Sequence, residues 1–598
     1  MSAATSPRAP GPPRAEAPQA VCLVRPRAGE AFRFSAQSLS LPLGLAYVAA
    51  TLERAGHAVS VLDAVGLAPG RRQRYFHGYL VGLPDDELVA RVTPGAAVIG
   101  VSVLFTHEWP AVVRLLAALR RARPEALLVI GGEHVTAMPE FCLLTSAADV
   151  AVLGEGEDTL VELLAARRAG RPLAGVDGIA FRDGGVAGGP TGAATRVHVN
   201  PRRARRRDVD ALPRPAWQHF DVAGYAARGL SGGVGAELVT LPILATRGCP
   251  YQCTYCTNPN SWGTEWIARD PVAVVDEIED GLRRFGARNF PFQDLTAILR
   301  RDWILRFCDE LIARRLDVRW QMPTGTRLEA VDAEVAARLH ASGMVGMAFA
   351  PESGSAATRA LIKKRMSDAR LLSAIEASAG AGLNVALFVV LGFPHDTRAR
   401  LAEELAFCDR ARDAGATELS LGFYMALPGT ELFDALYDAG RVTLDRAWFG
   451  HILQGTTLWP SRSYCPALGR ARLTWWSLRM YARFSLGRAR VTRSTTAAGE
   501  AAPPTPLGTW AKLPAALRFA ARSAWDSLAV RLRPGWCSRR EERALFAGWD
   551  ALFRDIRRQQ LASGLVERAP ADLGELARRN VTTAVRRAQG AAHEVAIT

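Results

Sequence analysis

Short apolar runs alternate with longer amphipathic stretches between residues 20 and 183. The apolar runs are predicted strands, and they cover residues 21–24, 59–62, 97–104, 127–130 and 150–153. Apolar positions at helical spacing predict helices between them, at residues 43–55 and 109–121. Strands that alternate with helices in this way predict a doubly wound parallel sheet, whose ligands bind at the carboxyl ends of its strands.

A second alternation of the same kind occupies residues 238–430. Its predicted strands are residues 238–246, 289–292, 318–321, 346–350, 385–391 and 418–423. Its predicted helices are residues 271–285, 302–314, 333–341, 368–381 and 398–414. Six successive β/α units predict a barrel-like parallel sheet with its active site at the carboxyl ends of the strands. The fold class is therefore α/β, with a mainly helical C-terminal region.

The regular alternation stops after residue 430. Aromatic residues then recur at helical spacing in residues 472–486 and 545–556, which predicts helices that pack on the barrel. A substrate cap or a helix on a membrane surface are the alternatives, since aromatic faces flanked by arginine serve both purposes. The predicted divisions are a disordered leader (1–19), a sheet domain (20–183), a linker (184–237), a barrel (238–430), a helical extension (431–494), a linker (495–508) and a helical C-terminal region (509–598).

The positive charge of the chain comes almost entirely from arginine. The formal net charge is +15, but only three of the 74 basic residues are lysines, namely Lys363, Lys364 and Lys512. The densest basic run, residues 202–207, lies in the predicted linker without interleaved aromatic residues. Nucleic-acid binding normally combines such a run with a recognition motif. We therefore expect no nucleic-acid partner, and we predict that this run is a solvated linker.

The cysteine count and the apolar runs predict a cytoplasmic protein. Nine cysteines occur in 598 residues, and only three of them are clustered, which favours a reducing compartment over a disulfide framework. No apolar run approaches the roughly 20 residues needed to span a bilayer. Residues 1–19 lack the apolar core of a signal peptide, so we expect a disordered leader there.

The three clustered cysteines carry the strongest chemical signal. Residues 247–256 read RGCPYQCTYC, which places Cys249, Cys253 and Cys256 at C-x3-C-x2-C spacing directly after a predicted strand. Three soft thiolates on one loop suit an iron–sulfur cluster and leave one iron of a cubane open. A structural zinc site would need a fourth ligand at a closing spacing, and a disulfide would leave one thiol over.

With Tyr255 before its last cysteine, this loop resembles the C-x3-C-x-aromatic-C signature of the radical SAM superfamily. The resemblance implies a partial (β/α)6 barrel and a [4Fe-4S] cluster on the three cysteines. It also implies that S-adenosylmethionine (SAM) chelates the open iron and is cleaved to a 5′-deoxyadenosyl radical. Polar groups and glycines at the strand ends would then hold SAM: Tyr255, Asp294, Arg327, Glu352 and Gly392. Each also has a plain structural interpretation, such as a helix-end carboxylate, a turn glycine or a surface ion pair.

The N-terminal region resembles the cobalamin-binding domain that precedes the barrel in many radical SAM enzymes. The matching motifs are Leu-Pro-Leu-Gly-Leu at residues 41–45, Gly-Gly-Glu-His-Val-Thr at 131–136 and Gly-Glu-Gly-Glu at 154–157. The residues implied for cobalamin are Ser102, Gly131, Gly132, His134, Gly154, Glu155 and Gly156. The first strand is followed neither by the G-x-G-x-x-G of dinucleotide sites nor by the D-x-H-x-x-G of histidine-ligated cobalamin. We therefore expect cobalamin without a histidine ligand, with His134 and His107 ordering loops.

Together the two resemblances imply a cobalamin-dependent radical SAM methyltransferase that acts on an unactivated carbon of a natural product or lipid. An oxidative cyclase or rearrangement enzyme of the same superfamily is the first alternative, and methylthiolation is another. A non-catalytic cobalamin or redox sensor is a third. Such an enzyme needs an electron donor such as flavodoxin or ferredoxin. Peripheral membrane contact is possible, while the residues themselves do not specify the substrate.

Overall fold

The computed structural model describes residues 18–31, 39–182, 196–230, 238–327, 330–453, 460–487, 543–552 and 554. Most of the predicted leader, the predicted linker at 495–508 and Cys537 lie outside these residues.

The N-terminal domain is built on a seven-stranded sheet with the order β10-β9-β8-β7-β6-β1-β3. Strands β3, β1, β6, β7 and β8 are parallel, and β9 and β10 continue the sheet antiparallel. A small antiparallel sheet, β2-β5-β4, lies beside it. The strands are β1 (Ala20–Arg25), β2 (Ala28–Glu30), β3 (Ala58–Asp63), β4 (Arg72–Tyr75), β5 (Gly78–Val81), β6 (Val98–Ser102), β7 (Leu127–Gly131), β8 (Val150–Val152), β9 (Ile179–Arg182) and β10 (Val197–Val199).

Helices cover both faces of this sheet, as the continuous apolar strands predict. In β1, Val21 and Leu23 belong to one hydrophobic cluster and Cys22 and Val24 to another, because successive side chains point to opposite faces. The helices are α1 (Leu43–Arg54), α2 (Ala64–Leu67), α3 (Asp85–Ala90), α4 (Trp109–Ala122), α5 (Glu133–Ala137), α6 (Pro139–Thr145), α7 (Glu157–Arg168) and α8 (Val222–Ala227). The predicted doubly wound domain is confirmed.

The second domain contains a parallel sheet of five strands, β13-β14-β15-β16-β17. The first predicted strand, residues 238–246, is wrong as a regular element. It runs beside β13 through isolated bridges from Thr240 and Ile243, and Pro242 between them cannot donate to a ladder. The strands are β11 (Thr246–Arg247), β12 (Ile267–Ala268), β13 (Asn289–Pro291), β14 (Arg319–Thr326), β15 (Met344–Glu352), β16 (Asn384–Leu391) and β17 (Glu418–Phe423).

The helices of this domain follow the predicted order. The two domains share a hydrophobic core, because one buried cluster contains residues of α1 in the first domain and of α10 and β16 in the second. The helices are α9 (Asn258–Ser261), α10 (Pro271–Phe285), α11 (Arg301–Arg314), α12 (Ala333–Ala341), α13 (Ala356–Leu361), α14 (Asp368–Gly380), α15 (Arg398–Asp413), α16 (Glu431–Asp438), α17 (Arg446–Leu453) and α18 (Arg470–Leu486).

The described part of the C-terminal aromatic stripe forms a helix at residues 543–552, and its ring contacts lie on the N-terminal domain and α17 rather than on the barrel that was predicted to carry it. Trp549 contacts Phe141 of α6 and Phe449 of α17, with ring centroids 5.4 and 5.9 Å apart. Its partner is therefore the N-terminal domain together with α17. The helix that does cover the barrel is α18, where Tyr481 accepts a hydrogen bond from the Leu421 N–H of β17.

The arginine run at residues 202–207 is not solvated, so that prediction is wrong for most of its length. Arg206 forms a two-pronged ion pair with Asp158 of α7, and Arg203 pairs with Glu162 of the same helix. Arg202 donates to Asn260 of α9. Among the arginines of the run, only Arg207 is largely exposed, with 82% of its side chain accessible. The run ties the two domains together.

Across the described part of the chain, no helix combines the length and apolar content needed to cross a membrane.

Candidate functional site

The cysteine loop leaves β11 at the carboxyl edge of the barrel. Cys249, Cys253 and Cys256 are half-buried free thiols. The loop is held from behind, because the Thr254 N–H donates to the Ile362 carbonyl (3.2 Å) and the Thr254 carbonyl accepts from the Leu432 N–H (3.0 Å). Its conformation is thus fixed by the segments that follow α13 and begin α16.

The donor set on this loop suits an iron–sulfur cluster. In a cubane each thiolate binds a different iron, so the sulfur atoms need not converge on one point. Within the described ranges, no three His, Cys, Asp or Glu side chains converge as a single metal ion requires. Burial raises the pKa of the Cys249 thiol, and it raises the pKa of Cys256 to about 12. The charge of Lys364 opposes that rise at both thiols.

Lys364, a residue that sequence reasoning missed, contacts both Tyr255 and Glu352. The Lys364 Nζ lies 2.8 Å from a Glu352 carboxylate oxygen and 3.3 Å from the Tyr255 hydroxyl. Glu352 ends β15 with a φ of 62°, a left-handed conformation that is uncommon for a residue other than glycine. A signal for Lys364 existed in the sequence, since a lysine beside a functional motif is unusual in a chain that otherwise uses arginine.

The loop after Glu352 is anchored by α15. The buried Glu404 accepts hydrogen bonds from the Ser353 hydroxyl (2.6 Å) and the Gly354 N–H (2.7 Å). Burial raises the pKa of Glu404 to about 8. These two bonds fix the turn that presents Glu352 at the barrel rim.

Asp294 lies three residues after the end of β13 and faces the strand that leads into the cysteine loop. Its carboxylate accepts hydrogen bonds from the Ala245 N–H and from both the N–H and the hydroxyl of Thr246. Burial raises its pKa to about 6. This geometry indicates that Asp294 supports β11. Its contact with SAM stays a prediction.

Arg327 and Gly392 also lie at the rim. The Arg327 guanidinium stacks 3.3 Å from the centroid of the Tyr251 ring, so it contacts the cysteine loop directly. Gly392 directly follows β16 with a φ of 87°, and its N–H and that of Phe393 both donate to Asp396 at 2.9 Å. The turn is therefore held by a buried carboxylate. The structure brings Tyr255, Arg327, Glu352 and Gly392 to the edge that carries the cysteines.

The predicted cobalamin residues line the carboxyl edge of the N-terminal sheet. Ser102 of β6 pairs with Gly131 of β7 at that edge. Gly132 has a φ of 123°, and a Cβ atom there would lie 2.3 Å from the Val103 carbonyl oxygen, so only glycine fits. Leu104, which sequence reasoning missed, is 51% exposed beside them. Glycines and one exposed apolar side chain leave a cradle that suits a flat cofactor face.

Both candidate histidines order loops of their own domain. His134 is buried against the rings of Trp109 and Phe141, and its Nδ1 lies 3.1 Å from the Thr106 hydroxyl. Burial lowers its pKa to about 3. The His107 Nε2 lies 3.2 Å from the Gly29 carbonyl oxygen. This placement supports the expectation of cobalamin without a histidine ligand.

The two carboxyl edges face each other across an ionic interface. Arg247, two residues before Cys249, donates to Glu155 (3.0 Å) and Glu157 (2.6 Å) of the Gly-Glu-Gly-Glu motif, and only 2% of its side chain is exposed. Arg205 lies 3.6 Å from Glu155 as well. The predicted cobalamin residue Glu155 is thus engaged by arginines.

Backbone and side-chain contacts continue this interface. Glu133 of the Gly-Gly-Glu-His motif accepts a hydrogen bond from Thr257, next to Cys256. Gly154 lies beside Ser261 of α9, since a Cβ atom on Gly154 would be in ordinary van der Waals contact, 3.7 Å, with the Ser261 carbonyl oxygen. Gly156 follows in the same loop, at the beginning of α7. The loops predicted for cobalamin and for the cluster are therefore in direct contact.

Two family models match the chain. The B12 binding domain matches residues 31–164, and the radical SAM superfamily matches residues 243–408. The chain is similar to cytidylyl-2-hydroxyethylphosphonate methyltransferase of Streptomyces wedmorensis, with 30% identity over 71% of this chain and 82% of the relative. It is also similar to the anaerobic magnesium-protoporphyrin IX monomethyl ester cyclase of Cereibacter sphaeroides, with 30% identity over 53% of this chain but only 50% of that protein.

Solved structures share the fold. The radical SAM methyltransferase TsrM from Kitasatospora setae, solved with cobalamin and a [4Fe-4S] cluster, aligns with a TM-score of 0.54 at 21% identity, over 71% of this chain and 78% of TsrM. The cobalamin-dependent SAM radical enzyme OxsB, solved with aqua-cobalamin and SAM, aligns with a TM-score of 0.58 at 13% identity, over 95% of this chain and 84% of OxsB.

Proposed function

The chain belongs to the cobalamin-dependent radical SAM methyltransferases, and we propose that it methylates an unactivated carbon of a natural product or lipid. The observation that carries this proposal is the contact between the two carboxyl edges. Arg247 beside the cysteine loop binds Glu155 and Glu157 beside the cobalamin edge. A methyl transfer that uses both cofactors requires both to open onto one space, and the ion pairs of Arg247, which join the two proposed cofactor loops, support that arrangement.

We propose that Cys249, Cys253 and Cys256 hold the [4Fe-4S] cluster. Tyr255, Arg327, Glu352 and Gly392 are proposed to hold SAM at the same rim, with Asp294 supporting the strand below. When bound, the cluster supplies one electron for the reductive cleavage of SAM and cobalamin supplies the methyl group. The chain contributes orientation and exclusion of water. The buried Lys364 and Glu352 pair gives this rim a fixed polar surface.

For cobalamin we propose the cradle formed by Ser102, Gly131, Gly132, Gly154 and Gly156. The glycines allow close approach of a large planar ring, and Leu104 offers it an apolar contact. His134 is proposed to order this edge rather than to bind cobalt, since its ring is buried among aromatic residues. Glu155 is proposed to lock the domains together through Arg247.

The test is anaerobic reconstitution with iron, sulfide and hydroxocobalamin, followed by addition of reductant and SAM. We expect cobalamin to be retained, and both 5′-deoxyadenosine and S-adenosylhomocysteine to form, as mass spectrometry would detect. The cyclase alternative is less favoured, because the cyclase relative matches only about half of each chain. Formation of 5′-deoxyadenosine alone, without retained cobalamin, would contradict methyl transfer and support that alternative.

The electron is proposed to come from a small one-electron carrier such as flavodoxin or ferredoxin. We also propose a cytoplasmic location, because the eight cysteines within the described residues are all free thiols. A purified flavodoxin with its reductase should support SAM cleavage in place of dithionite. Cleavage with dithionite but with neither flavodoxin nor ferredoxin would argue against this class of donor.

A further inference from the structure

Lys364 is buried next to the cysteine loop, whereas its sequence neighbour Lys363 is not. About 9% of the Lys364 side chain is exposed, against 52% for Lys363. Lys363 forms a surface ion pair with Glu431. A buried ammonium group is costly unless nearby groups pair with it, so the position of Lys364 requires a reason that the surface lysine does not.

The contacts of Lys364 converge on both predicted parts of the site. Its ammonium group bonds to Glu352 at the end of β15 and to Tyr255 between two of the cysteines. Ile362, two residues earlier, accepts the hydrogen bond that holds the loop at Thr254. One short segment therefore positions the loop through its backbone and supplies a positive charge through its side chain.

We propose that Lys364 is a positioning residue that fixes Glu352 and Tyr255 and favours the reduced state of the cluster by its charge. The proposal rests on the proposed assignment of the three cysteines as cluster ligands. Reduction adds one electron, taken from an external low-potential one-electron donor that is oxidised, and no bond to Lys364 forms or breaks. Net charge and hydrogen bonds near a cluster are among the factors that set its potential, and a cation at short range in a poorly screened site stabilises added negative charge.

The test compares K364M, K364R and K363M, each reconstituted as the full chain with cluster and cobalamin. The midpoint potential of the cluster is measured by redox titration with electron paramagnetic resonance, and the cobalt potential in the same sample serves as an internal reference. We expect K364M to lower the reduced-to-oxidised ratio about tenfold at a fixed ambient potential, which corresponds to about 59 mV for one electron. K363M and K364R should remain close to the wild type, because the first removes a screened surface charge and the second keeps the buried one.

An unchanged cluster potential in K364M would overturn the proposal, since a merely structural lysine would not move that potential. If K364M binds no iron, K364R decides the matter. Full iron content at the wild-type potential in K364R would support a role for charge, whereas loss of iron in K364R as well would show that fit rather than charge is required. Failure of the cluster assignment itself is distinguishable, because C253A would then retain full iron content.

Discussion

At the scale of single residues, Cys253 gives the most direct prediction. We expect C253A to abolish both iron binding and SAM cleavage, because a cluster that has lost one of three thiolates is not retained on this loop. C408A is the matched control, since Cys408 is a free thiol buried in α15 away from the loop. Iron and sulfide analysis with detection of 5′-deoxyadenosine provides the measurement. Full iron content in purified C253A would refute the assignment of the loop.

Site residues that a local sequence pattern marks were predictable. Site residues that are defined by contacts between distant parts of the chain were not. Cysteine spacing identified the loop, and strand ends identified Glu352 and Gly392, because both signals are local in sequence. Lys364 pairs with Tyr255, 109 positions away, and no local pattern reports such a contact. Asp294 was recognised as a rim residue, but its engagement by Thr246 depends on how β11 and β13 meet.

At the scale of elements, the turn between β7 and α5 can be tested with two adjacent glycines. A Cβ atom at Gly131 would make only ordinary contacts, the nearest at 3.6 Å, whereas one at Gly132 would clash with the Val103 backbone. The left-handed conformation of Gly132 adds roughly 1–3 kcal/mol of strain for any other residue. We expect G132A to lower the thermal midpoint of the cobalamin-binding domain by several degrees and G131A to lower it far less. Equal midpoints in the two variants would contradict this backbone argument.

The α15 anchor of the Glu352 loop predicts a pH dependence. Burial raises the pKa of Glu404 from 4.5 to about 8, so between these values the folded state binds a proton that the unfolded state has lost. Stability therefore falls as pH rises through this window, by up to about 1.4 kcal/mol per pH unit from this group. E404Q should remove that contribution and become more stable than the wild type above pH 8.

Thermal midpoints measured from pH 5 to pH 9 would check this, with E376Q as control because Glu376 is an exposed residue of α14. Curves for wild type and E404Q that stay parallel over the whole range would exclude a titrating Glu404.

Most elements were predictable because their hydrophobic periodicity is strong and their ends carry clear stop signals. Helix α10 and strand β17 have the predicted bounds, and Gly286 ends α10 in a left-handed conformation. The first barrel strand failed because Pro242 breaks its ladder, although its apolar residues still pack in the core. Apolar periodicity reports burial, and burial alone does not ensure regular hydrogen bonding.

At the scale of the whole molecule, the order of the two domains was predictable but their interface was not. Runs of charged residues are usually solvated, but the arginines of residues 202–207 mostly form ion pairs and hydrogen bonds with the two domains. Arg206 and Arg203 find Asp158 and Glu162 only after the connecting segment folds back along α7. The Gly-Glu-Gly-Glu motif was likewise recognised by resemblance, while its ion pairs with Arg247 follow from the docking of two domains.

That interface leads to a prediction for R247Q. Arg247 is buried between Glu155 and Glu157, and its removal leaves the buried Glu157 carboxylate without its arginine, which typically costs about 3–5 kcal/mol, while Glu155 keeps Arg205. R288Q is the matched control, because Arg288 and Asp317 form an exposed pair (57% and 81% accessible) worth about 0–1 kcal/mol. We expect R247Q to lower the thermal midpoint and to increase proteolysis between the domains, and R288Q to do neither.

Because each cofactor site is proposed to lie within one domain, R247Q should still bind iron and cobalamin but form S-adenosylhomocysteine more slowly. Unchanged stability and an unchanged rate in R247Q would show that the domains are held in place by their shared hydrophobic core alone.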